Sequence, residues 1–169
     1  MLNKTDLRTK AKNIRKGLDI QNISQKACEK ISNLEVYKTS KNVLLFYPLE
    51  HEINTLSLIS DEKNFYLPRI KENDLEICPY KIGEDLHLSK FKTKEPLTES
   101  VSPNILDLII VPALMVDKNN YRLGYGKGFY DRLISQTQAT TVLPIAKELL
   151  VENLPTEPHD KKIDIVILV

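Results

Sequence analysis

Three of the 5 glycines in this chain stand within one short stretch, as Gly124, Gly126 and Gly128. Average usage near ~7% would give roughly 12 glycines in a chain of this length, so their gathering is not incidental. Arginine is just as scarce, since 19 of the 24 basic residues are lysine and only 5 are arginine, yet Arg122 and Arg132 bracket the same cluster. A glycine costs about 0.5–1 kcal/mol relative to alanine where the backbone is regular. Three together therefore need a physical reason. Bare backbone lets successive N–H groups converge on an anion, and a helix that starts just beyond adds its positive end. Lys127 supplies a mobile point charge, and the two arginines supply planar forks matched to phosphate or carboxylate. The stretch reads as an anion site more readily than as a charged surface turn.

It is not a standard nucleotide motif. A Walker A loop needs Gly-x4-Gly-Lys-[Ser/Thr], but Gly128 follows Lys127 and Tyr121 holds the earlier glycine position. The dinucleotide fingerprint G-x-G-x-x-G fails as well, because Phe129 occupies its last glycine.

Bulk properties narrow the setting. With 24 basic and 23 acidic residues the formal charge is +1, which argues against a surface built throughout for nucleic acid. The 169 residues are expected to form one domain, 1–169, with a core of its own. The charged N-terminus has no apolar signal segment, and no run approaches the ~18–20 apolar residues of a membrane span, so a cytoplasmic location is expected. Cys28 and Cys78 have no metal-type spacing and read as reduced, half-buried thiols. His51, His87 and His159 show no metal spacing either, and no role is assigned to them.

The elements that must position the glycine stretch follow from periodicity. Leu7, Ala11, Ile14 and Leu18 form one apolar stripe, predicting a helix over 4–18 that Gly17 helps to end. A second helix is expected over 23–35, with Asn22 as N-cap and Gln25 three residues on. Val43 to Tyr47 is a continuous apolar run of strand length, as suits a strand covered on both faces. Residues 54–60 fit a short helix; 65–67 and 75–80 fit strands; 89–102 fits a loop. Leu108 to Val111 is a second buried strand, followed by the glycine stretch and a helix over about 128–135. Strands over 142–146 and 163–168 complete the pattern. Helices alternating with apolar strands predict an α/β layered fold with a mostly parallel central sheet flanked by helices. A ligand site after a buried strand is where such sheets bind.

Arg122-Leu-Gly-Tyr-Gly-Lys-Gly-Phe-Tyr-Asp-Arg132, preceded by Val111-Pro112-Ala113, resembles the R-[LM]-G-x-G-x-G-[YF]-Y-D signature of the 5-formyltetrahydrofolate cyclo-ligases, also called methenyltetrahydrofolate synthetases. Further matches come in the same order along the chain. Lys4-x-x-x-Arg8 resembles the family's basic first helix, and Tyr47-Pro48 with Glu52-Ile-Asn-Thr55 its Y-x-x-x-x-E-[VI]-[DN]-T segment. Leu67-Pro68-Arg69, Phe91-x-x-x-Glu95-Pro96 and His159-Asp160-x-x-Ile-Asp164 resemble three later motifs. Asn120 stands where the family usually has glycine, and asparagine tolerates the left-handed turn best after glycine. Lys127 and Ala113 also stand at common glycine positions, and none of these departures removes an expected ligand.

The resemblance implies ATP-dependent closure of 5-formyltetrahydrofolate to 5,10-methenyltetrahydrofolate, with Mg²⁺ as cofactor and ATP as co-substrate. It implies ATP contacts from Lys4 and Arg8, one helical turn apart, and from Arg122, Leu123, Gly124, Tyr125, Gly126, Lys127, Gly128, Phe129 and Tyr130. Folate contacts carry over to Tyr47, Glu52 and Tyr125 to Phe129, catalytic roles to Lys127 and Arg122, and Mg²⁺ ligation to Asp131 and Asp160, which are hard oxygen donors. Arg15 lies near the Lys4–Arg8 face but no matched motif covers it. Asp164 reads as structural, and Lys10, Lys12 and Lys16 as a solvated face. Small molecules are the expected partners, without nucleic acid or membrane, in a monomer or weak homodimer. Two other readings compete: a nucleic-acid module using the basic first helix, whose affinity would fall steeply with salt, and an inactive relative that binds folate or nucleotide. The first leaves the glycine stretch unexplained, and the intact Arg122, Lys127, Asp131 and Asp160 set argues against the second.

Overall fold

In the computed structural model, which describes residues 2–169, helix α1 (Lys4–Lys16) is capped by Asn3, whose side chain accepts the Asp6 N–H, and it stops at Gly17. Helix α2 (Ile20–Asn33) starts a turn earlier than expected, because Asp19 and not Asn22 is its cap; the Asp19 carboxylate accepts the Asn22 N–H. A short α3 (Glu35–Thr39) leads into β1 (Asn42–Leu44). The segment expected as a short helix over 54–60 is a 3₁₀ turn, Leu56–Ser60.

The central sheet has six strands. β1 lies between β2 (Asn64–Lys71) and β6 (Leu108–Ile110), and beyond β6 come β9 (Thr140–Ile145) and β11 (Ile165–Leu168), all parallel. Only β3 (Asp74–Pro79) runs antiparallel, at the edge beside β2. Alternate residues of the inner strands point to opposite faces. Leu44, Ile109 and Leu143 pack with Leu7 and Ala11 of α1, while Val43, Leu45, Leu108 and Ile110 pack with Ile31 of α2 and Tyr37 of α3. That double burial is why these strands read as unbroken apolar runs, and it bears out the layered α/β expectation. Asp164 is structural as expected: its carboxylate accepts from both the N–H and the hydroxyl of Thr141.

Two smaller sheets escaped the sequence. β4 (Leu86–Leu88) and β5 (Lys94–Pro96) form a hairpin, with β5 inside the stretch expected as loop. β7 (Met115–Asp117) pairs with β8 (Arg122–Leu123) and with β10 (Leu150–Val151). The β7–β8 turn is organised by buried Asp117, whose Oδ1 accepts from the N–H groups of Asn119 and Tyr121 and whose Oδ2 accepts from Leu154. Asn120 takes φ 65° there, so the left-handed turn expected at that departure is present. This turn delivers Arg122 and the glycine stretch to the sheet. Helix α4 (Phe129–Ile134) follows, with Leu133 buried.

Candidate active site

The glycine stretch lines a cavity of about 360 Å³, walled by α1, the end of β1, the β4–β5 hairpin and the segment 157–160. Lys4, Arg8, Tyr47, Glu52, Asp131 and Asp160 face it together with residues 122–130, so the residues expected to bind ATP, folate or metal line one cavity, while Thr55, Arg69, Arg132 and Asp164 of the same motifs do not. They come from four separated parts of the chain.

Each glycine of the stretch faces a guanidinium. A Cβ on Gly124 would stand 2.8 Å from Arg122 Nη1, one on Gly126 3.1 Å from Arg8 Nη2, and one on Gly128 2.8 Å from Arg132 Nη1. Gly126 and Gly128 also have φ of 100° and 69°, where a side chain is strained. The glycines thus make room for arginines as well as exposing amides. Arg8 fastens this arrangement, its Nε donating to the Gly124 carbonyl at 2.9 Å. Arg132 is tied down by donating to the Lys127 carbonyl at 2.9 Å and to the Asn73 carbonyl, and by Asp74 at 3.3 Å. It is a strut and not a free fork. Helix α4 has only six residues and no side-chain cap, so the expected contribution of its positive end is small.

Arg122 is buried beside Asp131 at 3.3 Å, its guanidinium 5.6 Å from the centre of the Tyr130 ring. Burial pulls its pKa down and Asp131 opposes that shift; its buried Nε has no hydrogen-bond partner. Lys127 is exposed, and its ammonium has no hydrogen-bond or ion-pair partner among the described residues.

Lys4 reaches across to the C-terminal segment, donating to Glu157 at 2.8 Å and to Asp160 at 3.0 Å. Burial works against the Lys4 charge, but these two carboxylates leave its pKa above the ordinary value. Burial pushes Asp160 up, and Lys4 with the Glu157 N–H outweighs it, leaving the carboxyl below its usual range. Glu157, His159 and Asp160 each offer a ligand atom within 4.8 Å of the others. Two hard oxygens and an imidazole are a donor set that fits a divalent cation. Asp131 stands outside that group, with its Oδ1 accepting the Lys161 N–H.

On the other wall, buried Glu52 accepts the Leu49 N–H at 2.8 Å. Burial raises its pKa, while that N–H and the nearby Arg15 charge pull it down. The Tyr47 ring faces the cavity with Lys94 Nζ 5.8 Å from its centre. Phe91 of the hairpin meets Phe129 edge-on at 6.2 Å, joining hairpin to glycine stretch.

The sequence missed several of these residues. Arg15 is buried and bound to Tyr125, which its spacing from Lys4 and Arg8 alone could have hinted at. Glu95, quoted only as part of a motif, is buried in the cavity wall, accepting the Ile70 N–H at 2.5 Å. His159, given no role, sits with Glu157 and Asp160 through a turn that spacing did not reveal.

A family model described as the 5-formyltetrahydrofolate cyclo-ligase family matches residues 2–169. The chain belongs to this family. A cyclo-ligase of Haemophilus influenzae is 31% identical, covering 91% of each chain, and one of Mycoplasma genitalium is 28% identical, covering 89% of this chain and 86% of its own. In three dimensions the chain is similar to a 5,10-methenyltetrahydrofolate synthetase of Aquifex aeolicus, with a TM-score of 0.86 and 29% identity over 98% of this chain and 89% of that one. The cyclo-ligase family thus accounts for the ordered motifs from Lys4 to Asp164, and those motifs meet around one cavity.

Proposed function

We propose that this protein closes 5-formyltetrahydrofolate to 5,10-methenyltetrahydrofolate, using ATP and releasing ADP and phosphate. Membership of the cyclo-ligase family supports the reaction class. The observation that carries the detail is the convergence of Lys4, Arg8 and Lys127 with Tyr47 and Glu52 on one cavity. Phosphoryl transfer asks a protein mainly to position its reactants and neutralise charge. Lys4, Arg8 and the amides of residues 123–130 bind the polyphosphate; Lys127, exposed and without a partner among the described residues, neutralises the transferred phosphoryl group. Arg122, buried against Asp131, holds charge at the base of the site.

The formyl oxygen attacks the terminal phosphorus, and the bond to ADP breaks. Nitrogen 10 then bonds to the activated formyl carbon, phosphate departs with the formyl oxygen, and the nitrogen 10 proton is lost. The Tyr47 ring gives the pterin a flat apolar face, and Glu52 accepts hydrogen bonds from its amino and ring N–H groups. Asp160, with Glu157 and His159 beside it, would hold Mg²⁺, and Asp131, which faces the same cavity, would join it only by giving up its pairing with Arg122 or the Lys161 N–H; the ion would supply charge neutralisation on the phosphates.

Purified protein incubated with 5-formyltetrahydrofolate, ATP and Mg²⁺ should accumulate methenyl-folate absorbance only when ATP is present. Folded protein that forms no product under these conditions would sink the reading.

A further inference from the structure

Arg15 is the one buried charged side chain of α1, and no ion pair within 4 Å among the described residues explains why it is there. Burying a guanidinium is costly unless its donors are used. Two are: Nη1 donates to the Tyr125 phenol oxygen at 2.9 Å, and Nη2 donates to the Ala113 carbonyl. Tyr125 is the side chain between Gly124 and Gly126, and it faces the cavity. The ring is 40% exposed, and that bond is its one side-chain hydrogen bond among the described residues.

The helix geometry gives the contact its meaning. Residues 4, 8 and 15 lie on one face of α1, spread over about 16 Å at 1.5 Å per residue. Lys4 touches the 157–160 segment, Arg8 grips the Gly124 carbonyl and lies against Gly126, and Arg15 takes Tyr125. Two guanidiniums from one helix therefore hold Gly124 and Tyr125, the two residues that lead into the left-handed turn at Gly126, where φ is 100°. Arg15 and Glu52 also line one small recess beside Pro112 and Ala113, where the Arg15 charge works against the rise that burial imposes on the Glu52 pKa.

Resting on the function proposed above, we infer that Arg15 is a positioning residue for folate. It fixes Tyr125 as one wall of the pterin site and does not itself touch either substrate. The conservative replacement Arg15→Lys keeps the charge but cannot hold both the phenol and the Ala113 carbonyl with one planar fork. Losing a hydrogen bond to a charged group should raise the folate KM roughly ten-fold. The ATP KM should stay within about two-fold, since Arg8 still holds Gly124. Tyr125→Phe, a change at a partly exposed side chain that leaves the core intact, should reproduce the folate effect. The double variant should add nothing further, because both changes break one interaction.

Steady-state kinetics and calorimetric folate binding on the wild type and these three variants test this. A lowered Tm with unchanged folate KM and dissociation constant in Arg15→Lys would reduce Arg15 to a packing residue. Effects that multiply in the double variant would overturn the route through Tyr125. Wild-type protein that binds folate but does not turn it over counts against the cyclo-ligase chemistry alone. Wild-type protein that does not bind folate overturns both.

Discussion

Among the described residues, Lys127 differs from Lys4, Arg8 and the arginines of the glycine stretch in that its ammonium has no hydrogen-bond or ion-pair partner. Lys4 is shared by Glu157 and Asp160, Arg8 donates to Gly124, Arg122 sits beside Asp131, and Arg132 is fixed to Asn73, Asp74 and the Lys127 carbonyl. A side chain without partners contributes little to the fold, so its removal isolates its chemical role. Lys127→Ala should leave Tm within about 1 °C of wild type. Loss of a group aimed at developing charge costs roughly 10²-fold in kcat. Thermal unfolding and steady-state turnover on the same preparation check both halves; near-wild-type kcat would remove Lys127 from the phosphoryl-transfer step. The pairings also limit what spacing could reveal at this scale. The glycine stretch announces an anion site, yet Arg8 and Gly126 lie far apart in sequence, and only the fold shows that the glycines accommodate guanidiniums.

Among the elements, the antiparallel β2–β3 pair does more than close the sheet. Arg69 and Glu76 are cross-strand partners in register, joined at 2.8 Å, and Arg69 also donates to the carbonyls of Pro96, the last residue of β5, and of Thr98 just beyond it. The pair therefore anchors the hairpin whose Phe91 and Glu95 line the cavity. The Arg69 guanidinium holds the Glu76 carboxyl below its usual range. A carboxyl whose pKa is depressed on folding stabilises the native state above its unfolded pKa of about 4.3; that contribution is lost as pH falls through the lower folded value. Urea midpoints followed from neutral pH into that acid window should thus fall in the wild type. Glu76→Gln should start lower and fall less; parallel curves would mean that the pair contributes nothing to acid stability. The long strands were legible because Val43–Leu45 and Leu108–Ile110 are buried on both faces and carry no polar residue. The two- and three-residue strands of the smaller sheets were not, because so few residues have no period. The start of α2 was not legible because Asp19 and Asn22, three residues apart, are both good capping residues, and only the fold shows that Asp19 takes the Asn22 N–H.

Across the whole molecule, the cavity draws on residues near the N-terminus, on the end of β1, on the hairpin, on the glycine stretch and on residues 157–160. Lys4 alone links positions 153 and 156 residues apart in sequence. Such a site exists only when the chain is folded from end to end, so a ligand there stabilises the entire fold and not a local flap. A ligand bound only by the native state adds about 2.7 kcal/mol at 100 times its dissociation constant. In a protein of this size each kcal/mol moves Tm by roughly 2–4 °C. Saturating ATP with Mg²⁺, or 5-formyltetrahydrofolate without ATP, should each raise Tm by roughly 5–10 °C. Arg8→Ala should abolish the ATP shift, because Arg8 both lines the cavity proposed to take the polyphosphate and holds the Gly124 carbonyl. Differential scanning fluorimetry across ligand concentrations separates the possibilities. A folate shift with no ATP shift would place the nucleotide outside this cavity, and Lys4 and Arg8 would then be struts of the glycine loop and not ligands.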